Sequence, residues 1–445
     1  MRMHNPTVVC IIIRQPLKSD IIFSAKFVLK KSDMRICILS YRSYPYSGGQ
    51  GIYMRYLSNA LRDLGHEVDM MSGPPYPIVD DGVGLIRLPS LDLYRFGSWQ
   101  RLFIDPRKLN TRANFAEWGG IMTGYFSEPL AFGMRAYQYL CRDDIKKYDV
   151  IHDNQTMSWG IVDIQKAGYP VVETIHHPVT IDRDLAIQSA KSLKDKLGYR
   201  RWFSFTGMQI KVARQLPFII TVSEMAKHHI HEIFGIPESR MKVIYNGIDA
   251  ELFSPSDKVA RLDNQILMVM SRDTPVKGLR FLLEALAELR KRWDLKLVVV
   301  GRTLGDGQTE KLMDRLGVTD AVIFRNQIET SELIELYRAS TLVAVPSTYE
   351  GFGLPAAEAM SCGAPLVSTT AGALPEVVGD AGILIPPADP AALTAAIVQL
   401  MESPARRREY SLLARKRILE KFNWSDAARL TAEVYAEAIK ARKAE

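Results

Sequence analysis

The sequence predicts an α/β fold built as two tandem, Rossmann-like, doubly wound domains. Three observations predict it. The chain has 445 residues, beyond the size at which a single core stops growing, so two domains are expected. From Met34 onward, short apolar strands alternate with stretches of helical periodicity, which is the pattern of βαβ units and parallel sheets. The rhythm then breaks into turn residues at Asn246-Gly-Ile-Asp and Phe253-Ser-Pro-Ser-Asp before it restarts.

The first series of strands is expected over 35–40, 68–71, 149–152, 171–174, 218–222 and 242–245, with helices over 51–64, 156–167 and 223–234. Residues 72–148 are rich in Gly, Pro and aromatics and give no simple strand–helix reading. The second series has strands over 266–270, 295–300, 321–324, 342–345, 365–368 and 382–385. Its helices are 279–292, 309–316, 331–339, 354–361 and 391–401. A closing helix over 425–443 opens with a Ser425 cap before Asp426. The domain division is therefore 34–258 and 259–424. In such sheets ligands sit beyond the carboxyl ends of the strands, so chemistry is sought in the loops that follow strands.

Composition narrows the function. The hydrophobic fraction of 47% supplies sizeable cores, and no long low-complexity tract argues for disorder. The formal charge is +7, but residues 1–33 hold six Lys/Arg against two Asp, so the rest carries only +3. That is weak for a nucleic-acid binder, which shows a patterned basic surface with interleaved aromatics. Cys10, Cys37, Cys141 and Cys362 are scattered, which fits reduced, cytoplasmic usage rather than disulfides or a zinc site. No apolar run reaches the length of a membrane span. Residues 1–33 have no signal-peptide core or cleavage site, and Met34 reads as an alternative start; their removal is expected to leave folding and activity intact. Residues 183–214 carry eight Lys/Arg against two Asp, with Leu193, Leu197, Trp202, Phe203 and Phe205 among them. This suits either a helix lying on an anionic membrane surface or a solvated helix face.

Three segments carry candidate chemistry. Ser47-Gly48-Gly49-Gln50-Gly51 follows the first strand and opens a helix, a tight turn or a phosphate site; with Met54 at its last position it fails the dinucleotide fingerprint. Ser271-Arg272-Asp-Thr-Pro-Val-Lys277-Gly278 places two cations five residues apart, able to straddle a pyrophosphate or simply to face water. The third is the most specific: Glu350-Gly351-Phe352-Gly353-Leu354-Pro355-Ala-Ala-Glu358, running from a strand end into a helix. Glycine-loop amides between two carboxylates suit a ligand with phosphates in the middle and polyols at both ends.

These segments, with Glu350-x7-Glu358 foremost, resemble retaining glycosyltransferase family 4, which has the GT-B fold of two facing domains. Thr221-Val-Ser223-Glu224, Tyr245-Asn246-Gly247-Ile248-Asp249, Val300-Gly301-Arg302, Ala371-Gly-Ala-Leu-Pro375-Glu376 and Phe422-Asn-Trp424-Ser425 also match. The resemblance implies that the last helix crosses back to the N-terminal domain. It implies that Arg272 and Lys277 hold the donor diphosphate, that Glu358 accepts the ribose hydroxyls, and that Glu350 contacts the hexose. Amides of Gly351, Phe352, Gly353 and Leu354 would lie near the sugar and phosphate, with Gly49 and Gly51 facing them from the other domain. His176, after the strand 171–174, matches a histidine near the sugar, whereas His152 reads as structural. Val276 departs from the Glu usual before this lysine, and Asn326 from the usual Gly, which leaves the base open.

The implied activity is retaining transfer of a hexosyl unit from a nucleotide-diphosphate sugar, such as GDP-mannose or UDP-glucose, to a glycan, glycolipid or small-molecule hydroxyl. It implies no metal and no cofactor beyond that co-substrate. A GT-B sugar-nucleotide epimerase would need no acceptor, and a non-catalytic nucleotide-sugar or glycan-binding protein would show no turnover. Peripheral contact with an anionic membrane through 183–214 is the further partner expected.

Overall fold

The computed structural model describes residues 33–43, 49–93, 103–142, 146–190, 192–270, 273–303, 305 and 307–444. Its first sheet contains β1 (Arg35–Ser40), β2 (Glu67–Ser72), β3 (Val83–Arg87), β4 (Val150–Asn154), β5 (Val171–Ile175), β6 (Phe218–Thr221) and β7 (Met241–Val243). Their order is β3-β2-β1-β4-β5-β6-β7, all parallel. The second sheet contains β8 (Gln265–Val269), β9 (Lys296–Val300), β10 (Val322–Arg325), β11 (Leu342–Val345), β12 (Leu366–Thr369) and β13 (Ile383–Ile385). Its order, β10-β9-β8-β11-β12-β13, repeats the same winding.

Strands covered on both faces must be apolar on both, and β1 shows how they alternate. Ile36 and Ile38 face a cluster with Met54, Leu57, Trp424 and Tyr435, while Cys37 and Leu39 face one with Phe132, Ile151 and Ile161. In β8, Leu267 and its neighbours Ile266 and Met268 divide between two further clusters in the same way. Both sheets reverse their strand order beside their first strand, β1/β4 and β8/β11. The carboxyl ends at these two switch points are where a ligand crevice forms.

Residues 72–148 prove more regular than expected, with β3 and helices Arg112–Met122 and Glu128–Leu140. Their Gly and aromatic content hides the periodicity: Gly120 and Gly133 let neighbouring segments approach where any Cβ would collide. The basic stretch forms three helices, Val179–Ser189, Leu193–Trp202 and Thr206–Ala213; the middle one buries no residue at all.

The closing helix is Trp424–Ala444, and its cap is Asn423 rather than Ser425. The Asn423 side-chain oxygen accepts the Asp426 amide at 2.7 Å, because the helix begins one residue earlier than the sequence suggested. Trp424 stacks on Tyr56 of the first domain, with ring centroids 5.6 Å apart. Tyr435, fully buried, bonds His152 Nδ1 at 2.6 Å, and His152 Nε2 meets Thr174 Oγ1 at 2.6 Å. Burial pulls the His152 imidazole down to about 3, so it is neutral and structural. Cys37, Cys141 and Cys362 are free thiols; Cys10 lies outside the described residues. No described helix is long and apolar enough to cross a membrane.

Candidate active site

The site gathers where the two switch points meet. On the C-terminal side, the Glu350 side chain is only 11% exposed and sits between two donors. Lys277 Nζ donates to its Oε1 at 2.7 Å, and Ser347 Oγ donates to the same oxygen at 2.8 Å. Lys277 ends the turn Pro275–Lys277 after β8, and Ser347 follows β11, so the cluster spans the switch point. Arg272, Ser47 and Gly48 lie outside the described residues.

After Glu350 the chain turns sharply. Gly353 has φ +100°, a backbone that side-chain-bearing residues rarely adopt, and it precedes the helix Leu354–Ser361. Phe352 points inward against Phe422 at 5.7 Å, so only its backbone can serve a ligand. Glu358, 8% exposed, lies inside that helix, and its Oε2 accepts the buried Tyr337 hydroxyl at 3.0 Å. Burial pushes the Glu358 carboxyl up to about 7, while the Tyr337 hydrogen bond works in the opposite direction.

The N-terminal side closes on this loop. A Cβ on Gly351 would stand 2.8 Å from the His176 carbonyl oxygen and 3.2 Å from His177 Cβ. Ser223 Oγ donates to the Gly351 carbonyl at 2.8 Å. Gly49 begins the helix Gly49–Asp63 and faces Leu354, whose Cδ1 would lie 3.5 Å from a Cβ there. Gly51 is buried in the first turn of that helix. Glu376 binds the domains from the other direction: it accepts the Glu224 and Met225 amides at 2.8 Å each and the Tyr245 hydroxyl at 2.9 Å. A carboxylate is well placed at the start of the helix Glu224–Phe234.

His176 is 9% exposed, with Nε2 against Asn154 Oδ1 at 2.7 Å and its ring edge-on to Tyr53 at 4.7 Å. Burial first, and then His177 and His152, pull it down to about 3. It is therefore a neutral imidazole, able to share a hydrogen bond but not to serve as a cationic acid at neutral pH.

Behind it lies a support that sequence reasoning missed. Gln155 takes the His176 amide on Oε1 at 2.7 Å and gives Nε2 to the His177 carbonyl at 2.9 Å. Gln155 and Met157 sit at φ +59° and +46°, strained for such residues. They are held there by Glu173 Oε1, which accepts the Gln155 amide at 3.1 Å, and by Asp153 Oδ2, which accepts the Met157 amide at 2.8 Å. Asp153 and Glu173 are register partners on β4 and β5 and fully buried. Burial and then Asp153 hold the Glu173 carboxyl well above its usual range. The signal was present in the sequence as two carboxylates at strand ends, but only pairing of the strands unites them. Among the described residues no group of three His, Cys, Asp or Glu is placed to hold a metal ion.

Known proteins match the chain along most of its length. Residues 47–252 match the family described as Glycosyltransferase Family 4, and residues 252–417 match Glycosyl transferases group 1. The chain is 41% identical over 412 residues to an MMP α-(1→4)-mannosyltransferase of Mycolicibacterium hassiacum, covering 91% of this chain and 98% of that protein. Among solved structures, sucrose-phosphate synthase of Thermosynechococcus elongatus superposes with a TM-score of 0.69 at 23% identity, covering 92% of this chain and all of that one. Anabaena HepE in complex with UDP-glucose gives 0.64 at 20% identity, covering 91% and 100%.

Proposed function

Since the chain belongs to the glycosyltransferases of family 4 and uses a nucleotide sugar, we propose that it transfers a mannosyl unit from GDP-mannose to a glycan hydroxyl with retention at the anomeric carbon. Similarity to a mannosyltransferase along nearly the whole chain supports the choice of sugar. The observation that supports the site assignment is the Lys277–Glu350 contact at 2.7 Å, which brings together at one point the cation proposed for the diphosphate and the carboxylate proposed for a sugar hydroxyl.

In this reading Lys277, with Arg272, neutralises the leaving diphosphate, and Glu358 receives the ribose hydroxyls. Glu350 receives a hydroxyl of the hexose. His176, if it donates Nε2–H to Asn154, presents Nδ1 as an acceptor for a sugar hydroxyl. The acceptor oxygen attacks the anomeric carbon on the face the diphosphate leaves. The C–O bond to phosphate breaks through an oxocarbenium-like state, and the acceptor proton passes to the departing phosphate oxygen. Cationic side chains take the part a metal ion plays elsewhere, so the reaction proceeds without one.

The test incubates the protein with GDP-mannose, UDP-glucose or UDP-N-acetylglucosamine, with a mannoside acceptor and with EDTA, following nucleotide release and the anomeric NMR signal of the product. Turnover of GDP-mannose to an α-linked product is expected. Preference for a UDP-sugar would overturn the donor, and an inverted product would overturn the front-face displacement. Release of an isomerised sugar without acceptor would favour the epimerase reading, and no turnover at all the binding protein.

A further inference from the structure

Lys277 and Ser347 fix the side chain of Glu350, but its backbone is fixed by a segment that has no role above. The Ala373 amide donates to the Glu350 carbonyl at 2.9 Å. Gly372, at φ +57°, passes so close that a Cβ there would collide with the same oxygen. Thr369 Oγ1 donates to the Ser347 carbonyl at 2.6 Å, at the other end of the turn. The run from Thr369 to Ala373 therefore lies along the whole turn that presents Glu350, and a glycine at 372 lets it come this near.

The N-terminal domain holds that segment in its turn. It leads into the short helix Leu374–Val378, whose Glu376 reaches across to the helix Glu224–Phe234. Glu376 Oε2 accepts the Glu224 amide and Oε1 the Met225 amide, each at 2.8 Å. These are the first two N–H groups of that helix, which have no partner within it, and a carboxylate there also meets the positive end of the helix dipole. The Tyr245 hydroxyl donates to Oε2 at 2.9 Å. Arg417 secures the other side, with Nη2 to the Glu376 carbonyl at 2.8 Å and Nε to the Val377 carbonyl at 2.7 Å.

Ser223, the residue before the same helix, supplies a second tie. Its Oγ accepts the Ala226 amide at 3.0 Å, an ordinary cap, and gives its proton to the Gly351 carbonyl at 2.8 Å across the domain boundary. Ser223, Glu224 and Met225 are consecutive, and so are Glu350 and Gly351. One path runs from Ser223 to Gly351; the other runs from Glu224 and Met225 through Glu376 and Ala373 to Glu350. The start of this helix cannot shift without pulling on the turn by both.

We propose that Ser223 and Glu376 are positioning residues for Glu350: together they clasp its turn to the N-terminal domain, so that the carboxylate faces the transferred sugar only while the two domains are joined. The inference rests on the transferase reading, in which Glu350 receives a hydroxyl of the hexose.

The test compares Ser223→Gly, Ser223→Thr and Glu376→Gln with the wild type. Glycine still caps a helix at little cost but has no hydroxyl to donate, whereas threonine keeps both bonds, so this pair separates the tie from the cap. Glutamine keeps one acceptor oxygen and gives up the other. Amide hydrogen exchange is followed at Ala373 and within 349–354, because it reports local opening. The kcat for transfer from GDP-mannose to a mannoside, GDP affinity by calorimetry and melting temperature are measured in parallel. In Ser223→Gly and Glu376→Gln exchange should quicken and kcat fall, each by about tenfold or more, the effect of one lost positioning contact. GDP affinity should stay at the wild-type value, and Ser223→Thr should behave as the wild type. Wild-type kcat and exchange in folded Ser223→Gly and Glu376→Gln would overturn the proposal, as would equal losses of kcat and GDP affinity. So would a loss in Ser223→Thr as deep as in Ser223→Gly. If the wild type leaves GDP-mannose intact, the donor reading fails. Faster exchange in Ser223→Gly and Glu376→Gln then supports the clasp by itself, and wild-type rates overturn it.

Discussion

Glu358 shows most directly how one residue's surroundings set its behaviour. Burial makes its carboxyl titrate near 7, so the native state takes up its proton more readily than the unfolded chain. The stability it contributes is full below the ordinary carboxylate range and is lost as pH rises toward 7. With Glu358 in the proposed ribose contact, donor binding is expected to run the other way, since ribose hydroxyls would donate to the ionised form. GDP-mannose, whose diphosphate does not titrate here, should therefore bind more tightly at pH 8 than at pH 6 in calorimetry. Glu358→Gln should flatten that dependence and weaken binding by about 1.5–3 kcal/mol, the worth of hydrogen bonds to a charged group. A wild-type affinity independent of pH would remove Glu358 from the ribose contact. The spacing of Glu350 and Glu358 was legible in the sequence, but Tyr337, which holds Glu358, was not. It stands on the preceding helix and carries no motif of its own.

Among the elements, the loop from β11 to its helix does most with least. Its glycine at 351 is required by the backbone of the other domain. Gly351→Ala would push a methyl group against the His176 carbonyl and His177, so the two faces could not approach. Steady-state kinetics should show kcat lowered by about tenfold or more, equivalent to about 1.4 kcal/mol, while GDP affinity in the C-terminal domain stays nearly constant. Equal losses in both would mean that the loop serves donor binding alone. The strands and helices of the second domain stood out in the sequence because they are short, apolar and regularly spaced. Within 72–148 the helices were missed, since close packing there uses Gly and aromatics that blur the helical period.

At the scale of the whole molecule, two crossings join the domains side by side. Ile248 of the linker donates its amide to the Phe422 carbonyl at 2.8 Å, just before the closing helix begins. That helix is then locked to the first sheet through Tyr435, His152 and Thr174. Tyr435→Phe removes the hydroxyl and leaves a buried imidazole nitrogen unpaired, at a cost of about 1–3 kcal/mol. Urea unfolding should register that loss. An unchanged midpoint would show that the closing helix is held by its apolar face alone.

The sequence by itself determined the two doubly wound domains and the place of Lys277, Glu350 and Glu358 on strand–loop–helix units, while the return of the last helix was what the family resemblance implied. The domains follow from periodicity, and the three residues lie in motifs short enough for one such unit. Only the tertiary structure decided that Asp153 and Glu173 form one buried pair and that Glu376 of one domain caps a helix of the other. It alone decided that Gly351 abuts His176. Each of these joins residues far apart in the chain, and parallel sheets bring such residues together only once every strand has found its neighbour.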